Sequence, residues 1–228
     1  LHTRKYGAHG TSYRYISKKV AEMTNGEARK VVVCHIGSGA SLCAIEDGKC
    51  MDTTMGLTPL DGVMMGTRCG SIDPATVCYL QREGGFTFDE VDEMMNKKSG
   101  LQALCGSADM RDVHKERENG NKRAELAFRM LVHGIKKILG SYFFLLGGKV
   151  DAVTFTAGIG EHDELVRAAV MEGLEGIGFK LDPEANRARK SGARVISAPD
   201  SRIPILVIPT NEELQIAETA VEVVSKNK

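Results

Sequence analysis

Arg68 is the single cation in the stretch from Met51 to Pro74, where glycines recur every few residues among small hydroxyl side chains. The stretch has neither the period of a helix nor the alternation of a strand. Such a backbone suits a loop that brings N–H groups and one guanidinium to an anion. The plain alternative is a structureless loop. Loops this long in compact domains are usually functional or disordered, and the interleaved apolar residues argue against disorder. Two histidines stand in comparable settings. His9 follows Arg4-Lys5-Tyr6-Gly7-Ala8 and precedes Gly10-Thr11-Ser12, so an anion site and an ordinary surface loop weigh equally. His35 ends an apolar run, where a satisfied buried polar group is the commoner reading. His133 reads as structural; His2, His114 and His162 carry no pattern. No helix carries an H-x-x-x-H pair, which argues against a catalytic zinc.

These residues need elements to position them. Lys30 to Ile36 is β-branched and apolar, Gly37-Ser38-Gly39 breaks it, Ala40 to Ile45 resumes it, and Asp47-Gly48 marks a hairpin turn before Cys50 to Thr54. Three antiparallel strands followed by helices form an α/β signature of the ribonuclease H and actin type. Asp73-Pro74 reads as a cap leading into a helix over Thr76–Arg82. Thr87 with Glu90 reads as a capping box. Lys122 to Leu146 is the longest helix, ended by Gly147-Gly148. Val150 to Thr156 is a buried strand, His162 to Leu174 a helix, Val195 to Ala198 and Ile203 to Ile208 strands, and Asn211 to Val224 a closing helix.

Four turns, each placed after or between these elements, are candidates for ligand contact, because in an open α/β sheet the strand ends gather where ligands bind. His35-Ile36-Gly37-Ser38-Gly39 could present N–H groups to a phosphate, or be just a tight turn. Ala157-Gly158-Ile159-Gly160-Glu161 lies between strand and helix, although Glu161 argues against a phosphate directly on it. Asp109-Met110-Arg111-Asp112 reads first as an N-cap with surface charges. Pro209-Thr210-Asn211-Glu212-Glu213 reads as an N-cap with acidic residues complementing the helix dipole, or as the place of a metal-ligating glutamate.

The chain of 228 residues is 42% hydrophobic and carries 30 basic against 30 acidic residues. Zero formal charge gives no reason to expect nucleic acid or an anionic membrane as partner. No apolar run reaches membrane-spanning length, and the first residues carry no signal-peptide pattern. The six cysteines form no C-x-x-C pair, so free thiols in a reducing cytoplasm are expected.

Taken in order, Tyr6 to Ser12, His35 to Ser41, Asp52 to Pro74, Ser107 to Asp112, Gly158 to Glu161 and Pro209 to Glu213 resemble the acetokinase family, within the superfamily of actin, sugar kinases and heat-shock ATPases. Each motif alone is weak; the ordered set is specific. The resemblance implies reversible, Mg²⁺-dependent phosphoryl transfer from ATP to acetate, with propionate as the longer candidate acyl group. It implies that the chain is a single C-terminal nucleotide-binding domain whose N-terminal partner domain, with an active-site Asp, precedes Leu1, and that the enzyme is a cytoplasmic homodimer through this domain. His9 and Arg68 would stabilise the transferring phosphoryl group. His35, Ile36, Gly37, Ser38 and Gly39 would line the nucleotide phosphates; Asp109, Met110 and Arg111 would contact the nucleoside. Ala157, Gly158, Ile159, Gly160 and Glu161 would form the other wall. Glu212, rather than Glu213, would help hold Mg²⁺, through water.

Several positions depart from the family pattern: Ala8 for a Phe, Tyr13 for a His, Ser38 for an Asn, Cys69 and Ser71 for a Ser and an Asp, and Ala157 for a Gly. A non-catalytic actin-like nucleotide-binding or regulatory module is the alternative function; His9 and Arg68 together argue against it. A ribonuclease H-like nuclease would need clustered carboxylates on the first strand, where this chain has His35.

Overall fold

The computed structural model describes residues 2–226. Its centre is a six-stranded sheet in the order β3-β2-β1-β4-β6-β5. β1 (Lys30–Ile36), β2 (Ala40–Glu46) and β3 (Lys49–Thr53) are consecutive antiparallel strands. β4 (Ala152–Thr156) lies parallel to β1, and β6 (Ile205–Val207) parallel to β4. β5 (Arg194–Val195) closes the far edge antiparallel to β6, shorter than the sequence expects because Ser197 keeps only an isolated bridge to Leu181. β1 and β4 are buried on both faces, which is why they read as continuous apolar runs rather than alternating ones.

Helices cover both faces. On one lie α1 (Gly10–Met23) and the closing α10 (Glu212–Lys226), joined by the Arg14–Glu222 and Lys18–Glu218 ion pairs at 2.9 and 2.7 Å. Tyr13, Ile16 and Val20 of α1 pack on Val31, Val33, Cys43 and Ile45. On the other face the main core gathers around α6 (Lys122–Leu145), through Phe128, Leu131, Ile135 and Leu139 against Val32, Cys34, Leu42 and Phe155.

Between β3 and α2 (Ala75–Arg82) the chain stays irregular, but it is not loosely held: Met55, Val63 and Met65 are buried. α3 (Phe88–Lys97) begins with the expected Thr87–Glu90 capping box. α4 (Gly100–Cys105) and α5 (Met110–Glu118) follow, the latter capped by the Asp109 carboxylate. The helix expected over 162–174 is shorter, and the turn expected before it is itself helical. α7 (Ala157–His162) stops at Asp163, whose carboxylate accepts from the Leu165 and Val166 N–H groups and so starts α8 (Glu164–Met171). The short α9 (Pro183–Arg187) completes the set. Among the described residues no helix is long and apolar enough to cross a membrane.

Candidate active site

The C-terminal ends of β1 and β4 and the start of α1 meet at one place. His9 caps α1 with backbone in the left-handed region (φ 64°), so its ring turns back over the sheet. It lies face to face with His35, ring centroids 3.9 Å apart and 17° from parallel. His9 Nδ1 is 2.7 Å from Ser41 Oγ, and the same oxygen hydrogen-bonds Tyr13 Oη. His35 Nδ1 is 2.9 Å from Ser12 Oγ, which in turn meets Thr210 Oγ1 at 2.8 Å. Each imidazole therefore has one ring nitrogen fixed by a buried serine.

Burial and the neighbouring His9 push the His35 pKa down to about 3. Burial, then the Arg68 guanidinium, lowers that of His9. Both rings are thus held neutral near pH 7. The cations before His9 do not join it. Lys5 Nζ is bound to Asp52 Oδ1 at 2.6 Å and to the Thr53 carbonyl at 2.7 Å, and Arg4 lies over the Tyr6 ring. The cation that does arrive is Arg68. A Cβ placed on Gly39 would stand 3.2 Å from Arg68 Nη1 and 3.6 Å from His9 Nε2, so both groups converge above that glycine.

The loop that delivers Arg68 is anchored at several points. Met65 N–H donates to the Arg68 carbonyl at 3.1 Å, closing a tight turn. Leu101 and Gln102 N–H groups at the start of α4 donate to the carbonyls of Met65 and Gly66 at 3.0 and 2.9 Å. Arg68 Nη1 itself donates to the Pro59 carbonyl at 3.1 Å. Gly66 is where the Arg68 loop, the Ser38 turn and the Asp109 motif touch: its Cβ would meet Ala108 Cβ at 3.2 Å and the Ser38 carbonyl at 3.6 Å. A side chain there would wedge these segments apart.

The wall on β4 is tied differently from the sequence reading. Gly37 lies against Ala157 and Gly158, whose Cβ and N are 3.6 and 3.9 Å from a Cβ placed on Gly37. The Glu161 carboxylate is engaged through one of its oxygens. It accepts from Ala157 N–H at 2.9 Å and Thr210 N–H at 3.2 Å, stitching the β4–α7 turn to the β6–α10 turn. Buried Arg167 supports the same turn by donating to the Gly160 carbonyl at 2.9 Å. Asp109 is likewise occupied: it accepts from its own helix at Arg111 N–H, and its carboxylate binds the Arg111 guanidinium, the interactions that hold its pKa at about 2. Glu212 opens α10, half-buried beside Thr210 and Asn211. Among the described residues no three His, Cys, Asp or Glu side chains gather as a metal-binding group.

Ser12, Tyr13, Ser41 and Thr210 were not singled out from sequence as groups that orient the histidines. One signal was available for Ser41: with a tight turn at 37–39, it falls directly opposite His35 in the hairpin.

The sheet order and the likeness to solved kinases define an α/β domain of the actin-like ATPase type. The family model for the acetokinase family matches residues 1–218, and the chain belongs to that family. It is 58% identical to the acetate kinase of Desulfovibrio desulfuricans, covering 99% of this chain and 57% of that one. The crystal structure of Porphyromonas gingivalis acetate kinase superposes with a TM-score of 0.92 at 38% identity, covering 97% of this chain and 56% of that one. A propionate kinase from Francisella tularensis gives a TM-score of 0.88 at 42% identity, over 94% and 55%. The chain thus spans little more than half the length of these proteins.

Proposed function

We propose that this chain is the nucleotide-binding domain of a two-domain enzyme that reversibly transfers a phosphoryl group between ATP and acetate or propionate. The observation that supports it is the convergence of Arg68 and His9 above Gly39, at the mouth of a turn whose N–H groups suit phosphates. A carboxylate oxygen of the acid forms a bond to the γ-phosphorus while the bond to the ADP oxygen breaks. Negative charge is shared among the equatorial oxygens, and Arg68 meets it with a fixed positive charge. With Tyr13 donating to Ser41 and Ser41 to His9 Nδ1, His9 keeps its proton on Nε2 and donates it as a hydrogen bond to the same oxygens.

Gly37, Ser38 and Gly39 follow the phosphates, with Ala157 to Gly160 as the opposite wall and Asp109 to Arg111 toward the nucleoside. Glu212 fits a role as one water-mediated carboxylate for Mg²⁺, since that ion keeps several waters and binds mainly through substrate phosphates; when bound, Mg²⁺ neutralises phosphate charge. The same reading takes the enzyme as a cytoplasmic homodimer through this domain, in keeping with six unbridged cysteines and the exposed apolar Leu126, Met130 and Leu165.

The test is calorimetry with ADP beside an acyl-hydroxamate assay. These 228 residues alone are expected to bind ADP and turn over at near background, and the full-length enzyme to form acyl phosphate. Robust turnover by the chain alone would overturn the two-domain reading. ADP binding without acyl phosphate in the full-length protein would favour the non-catalytic module.

A further inference from the structure

Cys43 and Cys50 lie on β2 and β3 with their sulfurs 3.4 Å apart, Cys43 Sγ donating toward Cys50 Sγ. All six cysteines are unbridged, and no other pair among the described residues has its sulfurs in contact. The two differ in setting. Cys43 is fully buried under α1, whereas Cys50 is exposed on the edge strand. β2 is paired on both sides, but β3 is paired only with β2, and its register already shifts between Ala44 and Ile45. The edge strand is therefore the element free to yield when the sulfurs close to the bond length of about 2.05 Å.

We propose that Cys43 and Cys50 form a reversible oxidation site, in which a hydroperoxide converts the contacting thiols into a disulfide across the β2–β3 hairpin. The exposed Cys50 thiolate attacks a peroxide oxygen; the O–O bond breaks, hydroxide (or alkoxide) leaves, and Cys50 becomes a sulfenic acid. The Cys43 sulfur then attacks the Cys50 sulfur. The S–S bond forms, the S–O bond breaks, and the departing hydroxide takes the Cys43 proton as water. Two thiols lose two electrons and the peroxide gains them. Supporting this order, the hydrogen bond from Cys43 lowers the Cys50 thiol to about 7, while that bond and burial push Cys43 up. Lys5, held at Asp52 and Thr53 on the same edge, adds to the lowering, while burial and the Asp52 carboxylate oppose it.

The experiment treats the intact chain with hydrogen peroxide, blocks remaining thiols with N-ethylmaleimide, and maps trypsin fragments by mass spectrometry. Cleavage after Lys49 separates the two cysteines, so a disulfide joins the fragment 31–49 to the fragment 50–68. The expected result is that this crosslink appears before Cys78, the other exposed cysteine, is oxidised, and that dithiothreitol removes it. In Cys43→Ser, Cys50 should stop at a sulfenic acid trapped by dimedone. Oxidation of Cys50 to sulfinic acid with Cys43 still alkylatable, or loss of the Cys50 and Cys78 thiols at equal rates, would overturn the proposal. The wild-type crosslink decides the matter even if the variant folds poorly.

Discussion

The imidazoles of His9 and His35 stack at 3.9 Å although the two residues come from different elements, one capping α1 and one ending β1. Two such rings in contact cannot both be charged without strong repulsion. Their neutrality has consequences for stability.

The first is acid sensitivity. The folded pKa of His35, about 3, lies below its unfolded value near 6.5. The unfolded chain therefore binds more protons between these values, so stability is present above pH 6.5 and is lost as pH falls toward 3. The slope from this group approaches about 1.4 kcal/mol per pH unit. Denaturant unfolding as a function of pH should show the wild type losing stability more steeply than His35→Gln between about pH 6 and pH 4. Parallel profiles for the two would refute it.

Arg68 should act in the transition state more than in the ground state. Replacing it with Ala in the full-length enzyme removes a donor aimed at developing charge, which typically costs about 3–4 kcal/mol, or about a hundred- to a thousand-fold in rate. Steady-state kinetics should show kcat falling far more than KM for ATP rises. An unchanged kcat with a raised KM would instead make Arg68 a ground-state binding group.

Ala157 sits at φ 65°, a left-handed conformation that costs a residue with a Cβ about 1 kcal/mol or more. Ala157→Gly should relieve it, offset in part by the greater freedom of glycine in the unfolded chain. A net gain of up to about 1 kcal/mol is expected by chemical denaturation. A loss of stability would mean that burial of the Ala157 methyl outweighs the strain.

Ala8 is half-buried against the main core immediately before His9. On the proposed function, with position 8 beside the acyl group, a small residue would leave room for a longer acyl chain than the Phe of the family pattern. Each added buried methylene is worth about 0.8 kcal/mol, or about four-fold in kcat/KM. In the full-length enzyme, Ala8→Phe should raise the acetate-to-propionate ratio of kcat/KM. An unaltered ratio would show that position 8 does not size the acyl pocket.

The sequence alone determined what short-range rules encode. β-Branched apolar runs divided by Gly37-Ser38-Gly39 and Asp47-Gly48 marked the three opening strands, the Thr87–Glu90 spacing marked a capping box, and the irregular Arg68 loop stood out because it obeyed neither period. The ordered motifs carried the family. Tertiary structure alone decided which of those residues meet. Ser12 reaches Thr210 across 198 positions, and His9 reaches Ser41 across 32. It also made the Glu161 carboxylate a tie between two turns and set Cys43 against Cys50 through the register of an irregular hairpin. Hydrogen bonds within a helical turn are fixed by neighbours in the chain. Contacts between turns depend on sheet order and loop packing, which only the folded core sets.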